Sequence, residues 1–344
     1  MLTGAQAANL VEPEGLDLLA TKSTMAEVLE DTLRATGVDM RTNPETRGAT
    51  YIFAGSMVDL NANDALVLAR GWKPDLVVYE ISDHIGPLVA VALDVPAVMF
   101  GYGPRRPDEY TIAMEVVVAS RYADRGLTPV PPIRYVDTCP PSVNYEDWQP
   151  PAERQLLRPE AYRQPWAETE VSLPAKGARP RVLVSFGTVF SNPRQLSPLL
   201  RALTEHDVEV VVTLGLAGKE SEFDVDRERV RFSPFVPLDQ LLTDVDVMVT
   251  HGGAGTTLAA LAHGIPLVVL PQGADQPRQA DRVANANVGI ALIGDEATPE
   301  AVADAAIRCL TNPVIQARIA RVRDEIAGMP SPDDVVKSLE TLVG

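Results

Sequence analysis

Short β-branched apolar runs punctuate this chain, each bounded by residues that favour turns. In the second half RVLVSF (181–186), VEVVVT (208–213), DVMVT (246–250) and PLVVL (266–270) are nearly continuous in apolar residues, the pattern of strands buried on both faces. Helical stretches separate most of them, and alternating strand–helix units predict a parallel sheet covered by helices on both sides. The first half repeats the scheme less regularly. DLVVYE (75–80) and AVMFGY (97–102) read as strands, and residues 21–33, 54–70, 84–93 and 110–122 as helices. GWKP (71–74) closes the second of those helices. Between 129 and 180 the pattern breaks: 11 of the 29 prolines fall there, so irregular elements and a linker are expected, with a boundary near 176–179. Ser331-Pro332 announces a last helix, with serine as the cap and proline in the first turn. The fold class is α/β.

The segment from Thr250 to Pro277 concentrates the chemistry. A buried strand ends at Thr250, and a glycine-rich turn opens a helix near Gly255. Such a corner leaves backbone N–H groups unpaired at a helix N-terminus, where a phosphate can be held. Gly252, Gly253 and Gly255 let the main chain approach an anion without Cβ clashes. Thr256 can add a hydroxyl and His251 a ring N–H. A plain strand–helix turn with a structural histidine is the competing reading.

Taken further, HGGAGTT followed by AHGIPLVVLPQGADQ resembles the donor-site signature of the family 1 glycosyltransferases, most of all the bacterial branch that decorates antibiotics and related natural products. The resemblance runs through the C-terminal half and, from Trp72 onward, through the layout of the N-terminal half. It implies the GT-B fold: two Rossmann-like domains with parallel sheets facing across a cleft. Residues 1–175 are then an acceptor-binding domain with linker, 176–328 a nucleotide-sugar domain, and 329–344 a helix crossing back. His251, Gly255 and Thr256 match diphosphate ligands, and Asp275 with Gln276 match the pair that binds sugar hydroxyls. Gly187 and Thr188 would approach the diphosphate or sugar. Phe235 would pack on the base and the Val236 main chain would pair with its edge, although Phe235 is equally readable as core and Asp275 as a helix cap.

Glu80 matches the acidic residue that orients the family's catalytic histidine. That histidine is not found: MLTGAQAANLVEPEGL resembles the end of the family's second strand and the helix after it, so the first strand, loop and helix are expected to be missing. His84, one turn beyond Glu80, is the substitute base to consider, against a packed helix-start histidine. The reaction implied is inverting transfer from a TDP- or UDP-sugar to a hydroxyl of a hydrophobic acceptor, with no metal and no cofactor. The alternative is a non-catalytic or truncated homologue that only binds the nucleotide sugar. An epimerase or a lipid-directed transferase of the same fold would need cleft acids or a basic-apolar patch that the sequence does not offer.

Composition trims the field. With 30 Lys and Arg against 47 Asp and Glu the formal charge is −17, which disfavours nucleic acid as a partner. The two cysteines, Cys139 and Cys309, have no metal-like spacing and suit a reducing cytoplasmic setting. No apolar stretch is long enough to span a membrane; a homodimer is compatible with everything above. Asp244-Val245-Asp246 mimics a metal-binding DxD, but at the strand end opposite the glycine turn, and His263 reads as a helix C-terminal residue.

Overall fold

A computed structural model describes residues 1–161, 176–186, 193–214, 219–233 and 238–343. The first half contains β1 (Leu2–Gly4), α1 (Ala8–Val11), β2 (Leu19–Thr21), α2 (Met25–Thr36), α3 (Thr46–Tyr51) and α4 (Met57–Trp72). It continues with β3 (Val77–Glu80), α5 (Ile85–Leu93), β4 (Ala97–Gly101), α6 (Asp108–Ala123), β5 (Arg134–Asp137) and β6 (Glu153–Leu156). The second half contains β7 (Arg181–Ser185), α7 (Pro193–Thr204), β8 (Glu209–Thr213), β9 (Val230–Ser233), α8 (Leu238–Leu242), β10 (Val247–Thr250) and α9 (Ala254–Ala262). After these come β11 (Leu267–Val269), α10 (Gln276–Asn285), β12 (Gly289–Ala291), α11 (Pro299–Thr311), α12 (Pro313–Ala327) and α13 (Pro332–Glu340).

Among the described residues the strands form three sheets, parallel throughout. In the second half the order is β12-β11-β10-β7-β8-β9, so the chain winds outward from β7 to one edge and then returns to extend the sheet from β10. The carboxyl ends of β7 and β10 therefore flank the switch point at which open α/β sheets leave a crevice for ligands. One face packs on α7 and α11 through Val182, Val210, Leu200 and Ala306. The other packs on α9, α10 and α12 through Met248, Leu261, Val283 and Ile319, all essentially buried. Valine dominates the inner strands β7, β8, β10 and β11, which are covered on both sides.

The first half is divided. β3-β4-β5-β6 form one sheet and β1-β2 another. Leu2 of β1 and Val77 of β3 pack against the same apolar cluster, built on Val58, Ala62 and Leu88 of α4 and α5, yet no ladder joins the two strands.

Most elements fall where the apolar pattern places them; the helix expected from 21 begins at Met25 after β2, α3 is not signalled by the pattern, and three further differences stand out. The proline-rich stretch carries β5 and β6, because the prolines stand beside these four-residue strands and not in them. β9 and β12 escaped the pattern: one carries the exposed Arg231, the other is three residues long, and both are sheet edges. The helix expected from 54 begins at Met57, preceded by a π-turn over Ile52–Ser56. At the far end, Ser331 caps α13 in a reciprocal pair with Asp334, a motif worth about 1 kcal/mol. Val335 and Leu339 of α13 then lie against Val98 and Val136 of the first half's sheet.

Candidate active site

The turn after β10 is built around glycine conformations. Gly252 has φ +83°, and a Cβ there would meet Val269 Cγ1 at 2.5 Å. A Cβ on Gly253 would stand 2.8 Å from His251 Nε2, so this glycine makes room for the imidazole. Among the described residues a Cβ at Gly255 would meet nothing within 4 Å, so none of them obstructs this point of α9's first turn. No side chain caps this helix, and its first intrahelical bond is Thr257 N–H to the Gly253 carbonyl. The N–H groups of Ala254, Gly255 and Thr256 therefore make no hydrogen bond among the described residues and point where an anion is stabilised.

His251 lies across the crevice toward β7. Its Nδ1 is 3.4 Å from Thr250 Oγ1, and the Ser185 main chain hydrogen-bonds the ring. Burial lowers its pKa, against the opposing pull of Ser185 and Asp275, so the imidazole is neutral near pH 7.

Asp275 and Gln276 open α10 beside this corner. Asp275 Oδ2 accepts from Gln279 Nε2 at 3.3 Å, and Asp275 lines a cavity of about 750 Å³. Gln276 is 7% exposed, and its Oε1 accepts the N–H groups of Gln272 (2.7 Å) and Gly273 (3.1 Å). That oxygen shapes the preceding loop, leaving the amide N–H₂ as the part of Gln276 free to meet a ligand. Gly187, Thr188, Phe235 and Val236 lie outside the described residues.

The cavity joins the two halves. One wall is Met40, Ile52, Phe53 and Tyr110 of the first half, the other Arg278 and Gln279 of α10 with Ala274 and Asp275 just before it. Arg278 Nη1 donates to the carbonyls of Pro104 (3.4 Å) and Arg105 (3.2 Å), and a Cβ on Gly103 would meet Gln279 Nε2 at 2.5 Å. Tyr102, Arg106 and Arg278 are wall residues that sequence reasoning did not single out. Their only signal is position, in and opposite a proline-flanked loop at the carboxyl end of β4.

Glu80 closes β3 and accepts the Ser82 N–H at 3.0 Å. Burial raises its pKa, opposed by that hydrogen bond and by Arg106. His84 sits just before α5, whose first N–H groups, of Ile85 and Gly86, are taken by Asp83. Its Nε2 is buried with no hydrogen-bond partner, and burial with the nearby Arg106 lowers its pKa to about 4. It is absent from the cavity wall. These surroundings make His84 a weak proton acceptor, because an unsolvated imidazolium beside a guanidinium is strongly disfavoured. Asp246 is engaged structurally: Lys176 Nζ lies 2.7 Å away and the Arg181 N–H donates to Oδ2 at 2.7 Å. His263 caps the end of α9, its Nδ1 2.9 Å from the Ala259 carbonyl. Among the described residues no helix is long and apolar enough to cross a membrane.

The C-terminal domain described as erythromycin biosynthesis protein CIII-like matches residues 197–342. The 10-deoxymethynolide desosaminyltransferase of Streptomyces venezuelae is 30% identical over 315 residues, spanning 83% of this chain and 71% of that protein. The chain belongs to the antibiotic-pathway glycosyltransferases. A second relative of this glycosyltransferase, the Aclacinomycin-T 2-deoxy-L-fucose transferase of Streptomyces galilaeus, is 29% identical over 361 residues, or 92% of the chain and 79% of that protein. Among solved structures, the SsfS6 glycosyltransferase of Streptomyces sp. SF2575, complexed with thymidine diphosphate, superposes with a TM-score of 0.77 at 27% identity, covering 99% of this chain and 90% of that one. The two groups of parallel sheets thus form a GT-B glycosyltransferase fold.

Proposed function

We propose that this glycosyltransferase moves a sugar from a thymidine or uridine diphosphate donor to a hydroxyl of a hydrophobic acceptor, with inversion and without a metal ion. The observation that carries the reading is the start of α9 at the sheet's switch point, uncapped and unobstructed at Gly255 among the described residues, with His251 beside it and Asp275 both near His251 and in the cavity wall. The diphosphate would lie against the N–H groups of Gly255 and Thr256 and the His251 ring, and the sugar would reach toward Asp275 and the Gln276 amide. The acceptor would fill the cavity. Its oxygen, giving up its proton to solvent, attacks the anomeric carbon as the bond to the diphosphate breaks, and the electron pair leaves with the phosphate. Charge growing on that leaving group is met by fixed dipoles, which need no reorganisation at the moment of transfer. Thymidine diphosphate is the preferred nucleotide on the strength of the SsfS6 complex.

The test is a thermal-shift comparison of thymidine and uridine diphosphate, with His251→Ala as control. The expected result is clear stabilisation of the wild type by thymidine diphosphate, with affinity about tenfold weaker in the variant. Indifference of the wild type to both nucleotides would sink the donor site. The environment of His84 favours one other reading, a homologue that holds the nucleotide sugar without transferring it. Nucleotide stabilisation combined with no transfer to any hydroxyl would select it.

A further inference from the structure

Arg106 is 8% exposed, yet it forms part of the cavity wall. Its guanidinium is held by neutral groups. Nε donates to Thr111 Oγ1 at 3.1 Å, Nη1 to the Ile81 carbonyl at 3.0 Å, with Met114 Sδ at 3.2 Å, and Cζ lies 5.4 Å from the centre of the Tyr110 ring. No carboxylate of the described residues forms an ion pair with it; Glu80 is near enough to be felt but spends Oε1 on the Ser82 N–H. Nη2 makes no hydrogen bond among the described residues and is not sealed from solvent. These contacts hold the guanidinium of a cavity-lining residue while leaving its Nη2 donors without a partner among the described residues.

A guanidinium this deep without a counterion is disfavoured unless something completes it. The other cation of the wall, Arg278, already gives Nη1 to two carbonyls. Of the acids of the wall, Glu45 accepts from Asn43 and Asp275 from Gln279, and neither these nor Glu109 forms an ion pair with Arg106 among the described residues. Around the fork the surface is apolar and partly aromatic, with Phe53, Tyr102 and Tyr110. Such a site fits a flat ring carrying one negatively charged oxygen.

We propose that Arg106 makes the cavity selective for acceptors with an acidic hydroxyl, a phenol or an enolised diketone, and holds that oxygen as its anion. This deepens the acceptor-site reading above and rests on it. It also bears on the weak basicity of His84: an acceptor already ionised beside Arg106 gives its proton to solvent, and the phenolate oxygen then forms the glycosidic bond as the diphosphate departs. Charge-assisted hydrogen bonds from a guanidinium this buried are strong enough to favour the anion about tenfold.

The test uses 4-methylumbelliferone, whose neutral and anionic forms absorb at different wavelengths, titrated with the wild-type protein and thymidine diphosphate in excess. Bound to the wild type, the probe is expected to ionise about one pH unit lower than free. With Arg106→Gln the displacement vanishes, and Arg106→Lys keeps part of it. A displacement that survives in Arg106→Gln overturns the proposal. So does an unshifted titration with wild type, whether the probe stays out or binds neutral. Should the glutamine variant not fold, the wild type alone decides: at pH 8 it must bind the probe at least about fivefold more tightly than the probe's methyl ether, and equal affinities overturn the assignment. Nucleotide stabilisation is measured on every sample. Its loss in the wild type condemns the donor site, whereas its persistence with no preference for the anion condemns only the role of Arg106.

Discussion

At the scale of single residues, burial decides which titratable groups can act. His84 is instructive because sequence and structure read it differently. One turn beyond an acidic strand end, it looks like a base, but in the fold its ring is desolvated beside Arg106 and its pKa falls from 6.5 to about 4. The unfolded chain binds a proton below pH 6.5 and the folded protein does not until about pH 4. Stability linked to His84 is therefore complete above pH 6.5, is lost as pH falls through that window, and levels off below it. The loss is on the order of 2 kcal/mol. Denaturant unfolding of wild type and His84→Gln at pH 7 and pH 4.5 measures it: the variant should lose less stability on acidification, and parallel losses would show that the ring is not buried neutral. Sequence could not reveal this, since the partner that matters lies 22 positions away on another loop. His251 was legible for the opposite reason. Its role depends on a glycine turn contiguous with it.

At the scale of elements, legibility followed burial on two sides. β7, β8, β10 and β11 have unbroken apolar centres and could be placed from sequence, whereas the edge strands β9 and β12 are exposed or too short to show a period. β5 and β6 were hidden by neighbouring prolines, which mark the loops around a strand as readily as an absence of strand. The division of the first half into β1-β2 and β3–β6 was not visible as a pairing, although the beginning of the sequence did read as a strand and its following helix. A two-stranded parallel sheet has few ladder bonds and little cooperativity of its own. Amide hydrogens of Ala20 and Thr21 in β2 should exchange at least tenfold faster than those of Val98 and Met99 in β4, as read by hydrogen–deuterium exchange with NMR or mass spectrometry. Equal protection would mean that the two sheets open as one.

For the whole molecule, the halves meet through apolar packing by Val335 and Leu339 of α13 and by Cys139 and Val143, and through polar contacts of which several gather on α10. Arg282 donates to the carbonyls of Val143 (2.8 Å) and Asn144 (3.1 Å) and lies over the Tyr145 ring at 4.5 Å. The Arg282→Ala variant should unfold in two resolved calorimetric steps, the first several degrees below the wild-type transition, because buried carbonyls lose their donor. A single unshifted endotherm would show that α13, with Val335 and Leu339 on the first half's sheet, joins the halves unaided. Arg278, Gln279 and Arg282 share α10 with Asp275 and Gln276, so a single rod carries the groups proposed to grip the sugar and those that brace the opposite wall. Rotating or sliding that rod to admit a different hexose would reshape the room left for the aglycone. Engineers who retune this enzyme for new sugars should find its tolerance for scaffolds moving in step, two preferences set by one lever.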